Sequence, residues 1–388
     1  MPVNYLEIQS QVKEFGEKVA VRHEQLDSLR HKMLERLAYY SHRQDFLMAK
    51  VKRGVQANPG LRCAIPTDEA LNAHFHAPPL KTGITILAAD GSQITPSRHN
   101  QVEFCLINLG TIKIQTGSGL SPTEYTQTRL LNLDELYTPE GLITEGKIAL
   151  IRDLNERQVL AQYAEKEPRS SITVTDGPLE LYFERKETAD YNRMLKEYLD
   201  VLERLFNAGA ATAGYVDKPE GALVGRLLEV ADLPDKDLEL AGKWRPYTGI
   251  YDENLFKGVL LEPGERSAIF AIQSLSTQKF KDQLSLHFFY LNVGQNDRPY
   301  LARVEIPAWV AQDPTLLDSL HATLVTQSKI LGSQPYPYAL HRAHEVAVVS
   351  LAEKDQIEQM IASELIRQGI DPGQKSNKQF TKDATRKG

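Results

Sequence analysis

Apolar residues recur at helical spacing over residues 4–57: Leu6, Val12, Phe15, Val19 and Val21, then Leu26, Leu29, Met33, Leu34 and Leu37, set among many charges. No proline interrupts this stretch and Asn58-Pro59-Gly60 closes it, so the pattern predicts one long helix or a helical hairpin. An amphipathic helix of that length ordinarily packs on a partner chain or across its own domain. Residues 58–83, with NPG and HFHAPPLKTG, read as a connector. The pattern then changes to short apolar runs bounded by turn residues. ITILAAD (84–90), VEFCLINLG (102–110) and TIKIQTG (111–117) predict three strands in an antiparallel meander.

A helix is predicted over 145–167, ended by Pro168, followed by a buried-type strand SITVTDG (171–177). A helix over 187–208, a strand over 211–218 and a short helix over 221–231 come next. The second half predicts antiparallel strands at 267–275, 286–294 and 300–307. Helices follow over 313–331, with Asp313 as N-cap, and over 337–350, with Pro337 suited to the first turn. A last helix over 353–369 is closed by Gly369. The polar tail 371–388 lacks apolar periodicity and reads as disordered. The order strand-strand-strand-helix-strand-helix-strand predicts an α/β fold, a ribonuclease-H-like mixed sheet flanked by helices with a long N-terminal helical extension. The expected organisation is a helical arm over 1–60, a domain over 61–370 and the tail. Within the domain the core is expected at about 84–220 plus 335–350, with a β-rich insertion at about 240–310.

Composition adds bounds. With 388 residues, 41% hydrophobic and 25% charged, the chain has the make-up of a globular protein with a real core. The net charge of −6 leans away from a surface coated for nucleic acid, although a basic groove can coexist with an acidic total. No apolar run approaches a membrane span, and MPVNYLEIQSQVKEF lacks the basic and apolar segments of a signal peptide, so a cytoplasmic location is expected. Cys63 and Cys105 are far apart and outside any CxxC spacing, which predicts neither a thiolate zinc site nor a disulfide framework.

Candidate chemistry begins with two strands that end alike, LAADGS (87–92) and TVTDGP (173–178). An Asp at such an end projects a carboxylate from a rigid edge, and the following Gly lets a phosphate or metal approach the backbone. Hard divalent cations take oxygen ligands, so Asp90 and Asp176 form a candidate metal pair. Asp-Gly is equally the common hairpin turn signal, and that reading stays open for each site alone. On the helix between them Arg152 and Glu156 are four apart and share a face, as a solvated ion pair or as a site member; position alone does not choose Glu156 over Asp153 or Glu165. In QPYPYALHRAHEVAVVS (334–350), Tyr336 precedes a helix carrying His341 and His344, and His344 is either a core histidine, a ligand or a proton donor. His74 and His76 in the connector could bind metal or simply be solvated. Lys218, just after the strand 211–217, is either a phosphate contact or a solvated lysine.

Taken together, LAADGSQI, the Arg152–Glu156 helix, TVTDGPL and YPYALHRAH resemble the NurA nucleases, in the order that family shows, from about residue 84 to 350. The resemblance thins between 220 and 330. It implies a Mn²⁺-dependent DNA nuclease (Mg²⁺ being the other candidate ion) with 5′-to-3′ exonuclease and single-strand endonuclease action in DNA end resection and double-strand-break repair. It also implies a homodimer docked on a hexameric HerA-type ATPase. Carried over, Asp90, Glu156 and Asp176 are expected to ligate metal, His344 to be a ligand or acid-base group, and Tyr336 to position a phosphate or water. Two rivals remain: a catalytically silent DNA- or ATPase-binding scaffold on the same fold, and an actin/Hsp70-type ATPase. The second lacks support from any duplicated core, GxGxxG or GxxxxGK[ST] in the sequence.

Overall fold

A computed structural model describes residues 4–138, 141–167, 171–181, 189–295 and 298–374. The tail expected to be disordered lies, from 375 onward, outside the described residues, as do Pro168 and the predicted helix start at 187–188. Two compact units are present: residues 1–78 with 215–312, and residues 79–214 with 313–388.

In the first unit the predicted helical pattern is a hairpin, Tyr5–Tyr40 followed by Gln44–Ala57. Asn4 caps the first helix by accepting from the Glu7 amide. Only the end of that helix buries side chains, at Met33, Leu37 and Tyr40. There Arg36 Nε donates to Asp232 Oδ2 at 3.0 Å, and the Tyr40 hydroxyl donates to Asp232 Oδ1 at 2.8 Å. Leu6, Val12, Phe15, Val19 and Val21 are all exposed. The predicted connector is partly strand: Cys63–Pro66 pairs antiparallel with Phe270–Gln273, and His74–Phe75 pairs with Arg266–Ser267. Leu286–Asn292 and Leu301–Pro307 complete an antiparallel sheet. Phe270, Phe288 and Tyr290 of its strands pack with Phe256 through stacked and edge-to-face contacts, so aromatic area supplies much of this core. Cys63 and Cys105 are buried thiols.

The helix Leu223–Asp232 starts without a cap of its own, and the fully buried Asp252 serves instead. Its carboxylate accepts from the amides of Val224 and Gly225, each at 2.8 Å, and from the Tyr290 hydroxyl at 2.9 Å. Burial pushes its carboxyl from 3.8 up to about 6, against the lowering effect of those donors. Between those values the folded chain keeps a proton that the unfolded chain has lost. The contribution to stability is therefore full below about pH 4 and is lost as pH rises through 6. Urea melts across pH 4–7 should show this decline, flattened in Asp252→Asn.

In the second unit the strand order is Ala211–Val216 (residues 211–214 within this unit), Ser171–Asp176, Thr85–Ile94, Leu106–Gln115, Thr123–Leu130. The last three are antiparallel, while Ser171–Asp176 runs parallel to Thr85–Ile94. The sheet is mixed, with Glu145–Ala164 and Tyr338–Ala347 packed on it. A three-strand antiparallel meander is present, but it is not built from the three predicted strands. The first strand does not stop at Asp90 but runs on to Ile94, and the two runs predicted at 102–110 and 111–117 are one strand. Its third member, TEYTQTRL, is exposed along almost its whole length and so carries no apolar signal. The helix predicted over 337–350 ends at Ala347, and Ser350 caps the next, Leu351–Arg367, through a capping box with Glu353. Among the described residues no helix is long and apolar enough to cross a membrane.

Candidate functional site

Strand register places the two aspartates. Ala89 lies beside Thr175 in the parallel pair, so Asp90 and Asp176 follow at matching positions on neighbouring strands. Neighbouring strands are about 5 Å apart, and residues of equal parity share a face. Asp90-Gly91 is not a turn: both residues sit in mid-strand, with Asp90 opposite Gly110. Asp176 does end its strand and is exposed, and Gly177 turns the chain with φ of +85°. Arg157 holds this end, donating from Nη2 to the Pro178 carbonyl at 2.8 Å.

The helix Tyr338–Ala347 reaches the site because the sheet has a gap at Gly110. A Cβ there would lie 2.4 Å from the Ala343 carbonyl oxygen and 2.6 Å from the Ala347 nitrogen. Backbone therefore rests directly on backbone. The C-terminal end of the helix is fastened by two donors to the Ala347 carbonyl, Ser92 Oγ at 2.5 Å and Asn108 Nδ2 at 2.8 Å. Thr128 orients Asn108 by donating to its Oδ1 at 2.7 Å. Arg342 pairs with Glu124 on the outer strand and with Glu345 on its own helix. With the helix so placed, His344 Nδ1 meets Asp90 Oδ2 at 2.7 Å. Asp90 Oδ1 accepts from the Gly91 amide at 2.8 Å, which fixes the carboxylate from its other side.

Glu156 comes from the helix Glu145–Ala164 and is 3% exposed. Its Oε1 would lie 2.8 Å from a Cβ on Gly91, so the missing side chain is what lets the carboxylate reach the strand beside Asp90. Burial pushes Glu156 up to about 8; Asp153 and Asp90 push in the same direction, while Arg157 and Arg152 oppose them. Arg152 Nε lies 3.3 Å from Glu156 Oε1, and its Nη2 donates to Asp153 at 3.0 Å. Glu156 is thus neither a solvated ion-pair member nor a surface residue, which separates it from Glu165, held in an exposed pair with Arg204. Asp90 is 17% exposed and His344 65%, so the group opens to solvent on the histidine side.

The structure brings Asp90, Glu156 and His344 together and sets Asp176 on the adjoining strand end. Tyr336 precedes the helix by two residues. Lys218 belongs to the other unit, exposed and with φ of +46°. His341 pairs with Glu345 at 3.6 Å. Sequence reasoning did not single out Gly110, Asn108 or Ser92 as the residues that seat the helix; the signal for the first two was a buried-type strand, LINLG, carrying an Asn and a Gly.

The donor set suits a hard divalent cation: three carboxylates, with Glu156 reaching the strand through the space left at Gly91. The site's ligand atoms do not close to within 4.8 Å of one another as a group of three, a condition met among the described residues by His76, Glu262 and Glu265. Such an open arrangement matches a cation that keeps several waters and takes only one or two carboxylates directly.

A mixed sheet of this order with flanking helices is a ribonuclease-H-like α/β fold. The NurA domain matches residues 84–349, and the chain belongs to the NurA family. Its fold is similar to that of the NurA nuclease from Sulfolobus solfataricus, at 12% identity and a TM-score of 0.50, covering 77% of this chain and 89% of that one. The human endonuclease V catalytic domain aligns at 14% identity and a TM-score of 0.33, covering 82% and 98%. Endonuclease V from Bacillus subtilis aligns at 12% and 0.34, covering 74% and 86%. No curated protein sequence matches the chain.

Proposed function

We propose that this chain is a metal-dependent DNA nuclease, hydrolysing phosphodiester bonds at the site formed by Asp90, Glu156, Asp176 and His344. The observation that carries the reading is the 2.7 Å contact of His344 with Asp90, on a strand whose neighbour presents Asp176 at the matching position. Asp90, Asp176 and Glu156 would hold Mn²⁺ or Mg²⁺. When bound, such an ion supplies activation of water and stabilisation of charge on the phosphate oxygens. Asp90 fixes the tautomer of His344: its carboxylate accepts the Nδ1 proton, which leaves Nε2 as the atom that takes up and gives back the transferable proton. From that atom His344 would protonate the leaving oxygen or take a proton from water. Glu156, buried beside Asp90 and held protonated near neutral pH by that burial, would give up its proton as a cation binds and then add negative charge beside it. Tyr336 would orient a phosphate or water, and Lys218 would contact the DNA backbone.

Family membership supports the wider reading of 5′-to-3′ exonuclease and single-strand endonuclease action in end resection and double-strand-break repair. It also supports a homodimer working with a HerA-type hexameric ATPase. The exposed apolar residues of the helix Tyr5–Tyr40 favour a chain-to-chain contact. Purified protein is expected to cut end-labelled single- and double-stranded DNA with Mn²⁺ or Mg²⁺, to lose at least about 10³-fold of that rate in EDTA, and to recover it when Mn²⁺ is restored. DNA left intact with both ions would overturn the proposal. Light scattering and co-purification with a HerA-type ATPase test the assembly; a monomer that ignores that ATPase would remove it.

A further inference from the structure

A second group of ligand-type side chains lies in the first unit, apart from the residues of the candidate nuclease site. His74 lies on the short strand His74–Phe75 that pairs with Arg266–Ser267, and His76 follows it directly. Both reach Glu265: His74 Nε2 is 3.7 Å and His76 Nδ1 is 3.8 Å from its Oε1. Glu262 Oε2 is also 3.8 Å from His76 Nδ1. Ligand atoms of His76, Glu262 and Glu265 all lie within 4.8 Å of one another. Two ligands on a tetrahedral zinc ion, each at about 2.0–2.2 Å, are separated by about 3.3–3.5 Å. The three imidazole–carboxylate separations are within half an ångström of that.

Glu265 makes this more than a surface cluster. It is 3% exposed. Its Oε2 accepts from the Glu262 amide at 2.9 Å, while Oε1 accepts no hydrogen bond among the described residues. A buried carboxylate ordinarily needs a cation. The adjacent Arg266 does not supply one: its guanidinium pairs with Glu69 at 3.0 Å, donates to the Ser267 carbonyl and lies 4.0 Å over the Phe75 ring. What Oε1 faces is the two imidazoles, which are exposed and so open to an incoming ion.

We propose that His74, His76, Glu265 and Glu262 form a structural zinc site that clips the segment 74–76 to the strand start at 262–266. Nitrogen and carboxylate ligands in this number suit Zn²⁺ over Mg²⁺, which takes oxygen and keeps its waters. The ion would neutralise the buried Glu265 charge and tie the connector down without touching the chemistry at Asp90.

The test uses the full chain, loaded with Zn²⁺ and dialysed, with zinc read by mass spectrometry. Wild-type protein should retain one zinc per chain and melt roughly 3 °C or more higher with zinc than without. The double variant His74→Ala/His76→Ala, altering two exposed side chains, should lose that zinc and that shift while still cutting DNA with Mn²⁺. Asp90→Asn should keep the zinc and lose cleavage, so failure at one site is distinguishable from failure at the other. Loading with Co²⁺ should give the visible absorption of a four-coordinate ion in wild type and not in the double variant. Absence of bound zinc in wild type, or equal zinc in wild type and the double variant, would overturn the site.

Discussion

Asp90→Asn is expected to lower DNA cleavage by at least about 10³-fold, roughly 4 kcal/mol of transition-state stabilisation, with the fold intact. Three consequences meet in that one oxygen-to-nitrogen change. A charged ligand is removed from the proposed cation site. The partner of His344 Nδ1, now at 2.7 Å, becomes a weaker acceptor or a donor, so the tautomer that keeps a proton on Nδ1 and leaves Nε2 to exchange one is no longer enforced. The neighbouring Glu156 also loses a negative charge that pushes its carboxyl upward. Stability should change little, because Asp90 is partly exposed and its Gly91 contact can be kept by the amide oxygen. Initial rates on a labelled duplex, with circular dichroism to verify folding, decide the matter. A variant that keeps full rate would place the chemistry elsewhere or reveal a contaminating nuclease.

Gly110→Val is expected to damage both stability and activity, although no atom of Gly110 takes part in the chemistry. Even the Cβ of an alanine would meet Ala343 O at 2.4 Å and Ala347 N at 2.6 Å, and both are helix backbone, which cannot rotate aside. The helix Tyr338–Ala347 must lift, and with it go the Ser92 and Asn108 donors to the Ala347 carbonyl. Overpacking of this kind costs about 3 kcal/mol. A displacement of about 1 Å at His344 costs on the order of 10²-fold in rate. Urea melts should show the loss of stability, and rates measured below the melting transition should show a fall in kcat larger than any change in KM. Wild-type rates in Gly110→Val would mean that the seating of this helix does not govern the position of His344.

The chain's alternation of apolar and polar positions was enough to locate most elements of the second unit, including both aspartate strands and the helix with Glu156. It misplaced the limits of the meander for physical reasons. Asp90-Gly91 looks like a turn because the dipeptide favours one, yet the strand continues through it; Gly91 serves there to make room for Arg152 and Glu156. Gly110 likewise divided one strand into two on paper, when its role is to admit a helix. Thr123–Leu130 escaped notice because an exposed edge strand buries nothing that would mark it. Among the candidate side chains, only the three-dimensional arrangement could separate Glu156 from Asp153 and Glu165, since the decisive facts are its burial and its closeness to Gly91. The same holds for His74 and His76. They look like loop histidines until Glu265, far along the chain, is placed beneath them.

The central claim is that Asp90, Glu156 and Asp176 hold a divalent cation, with His344 beside them to move the proton, for phosphodiester cleavage. Crystals soaked in Mn²⁺, with data collected at the manganese absorption edge, test it most directly. The expected result is an anomalous peak within about 2–2.6 Å of carboxylate oxygens of both Asp90 and Asp176, absent in crystals of Asp90→Asn. An active enzyme whose soaked crystals show no manganese at these residues, or show it only elsewhere in the chain, would contradict the claim.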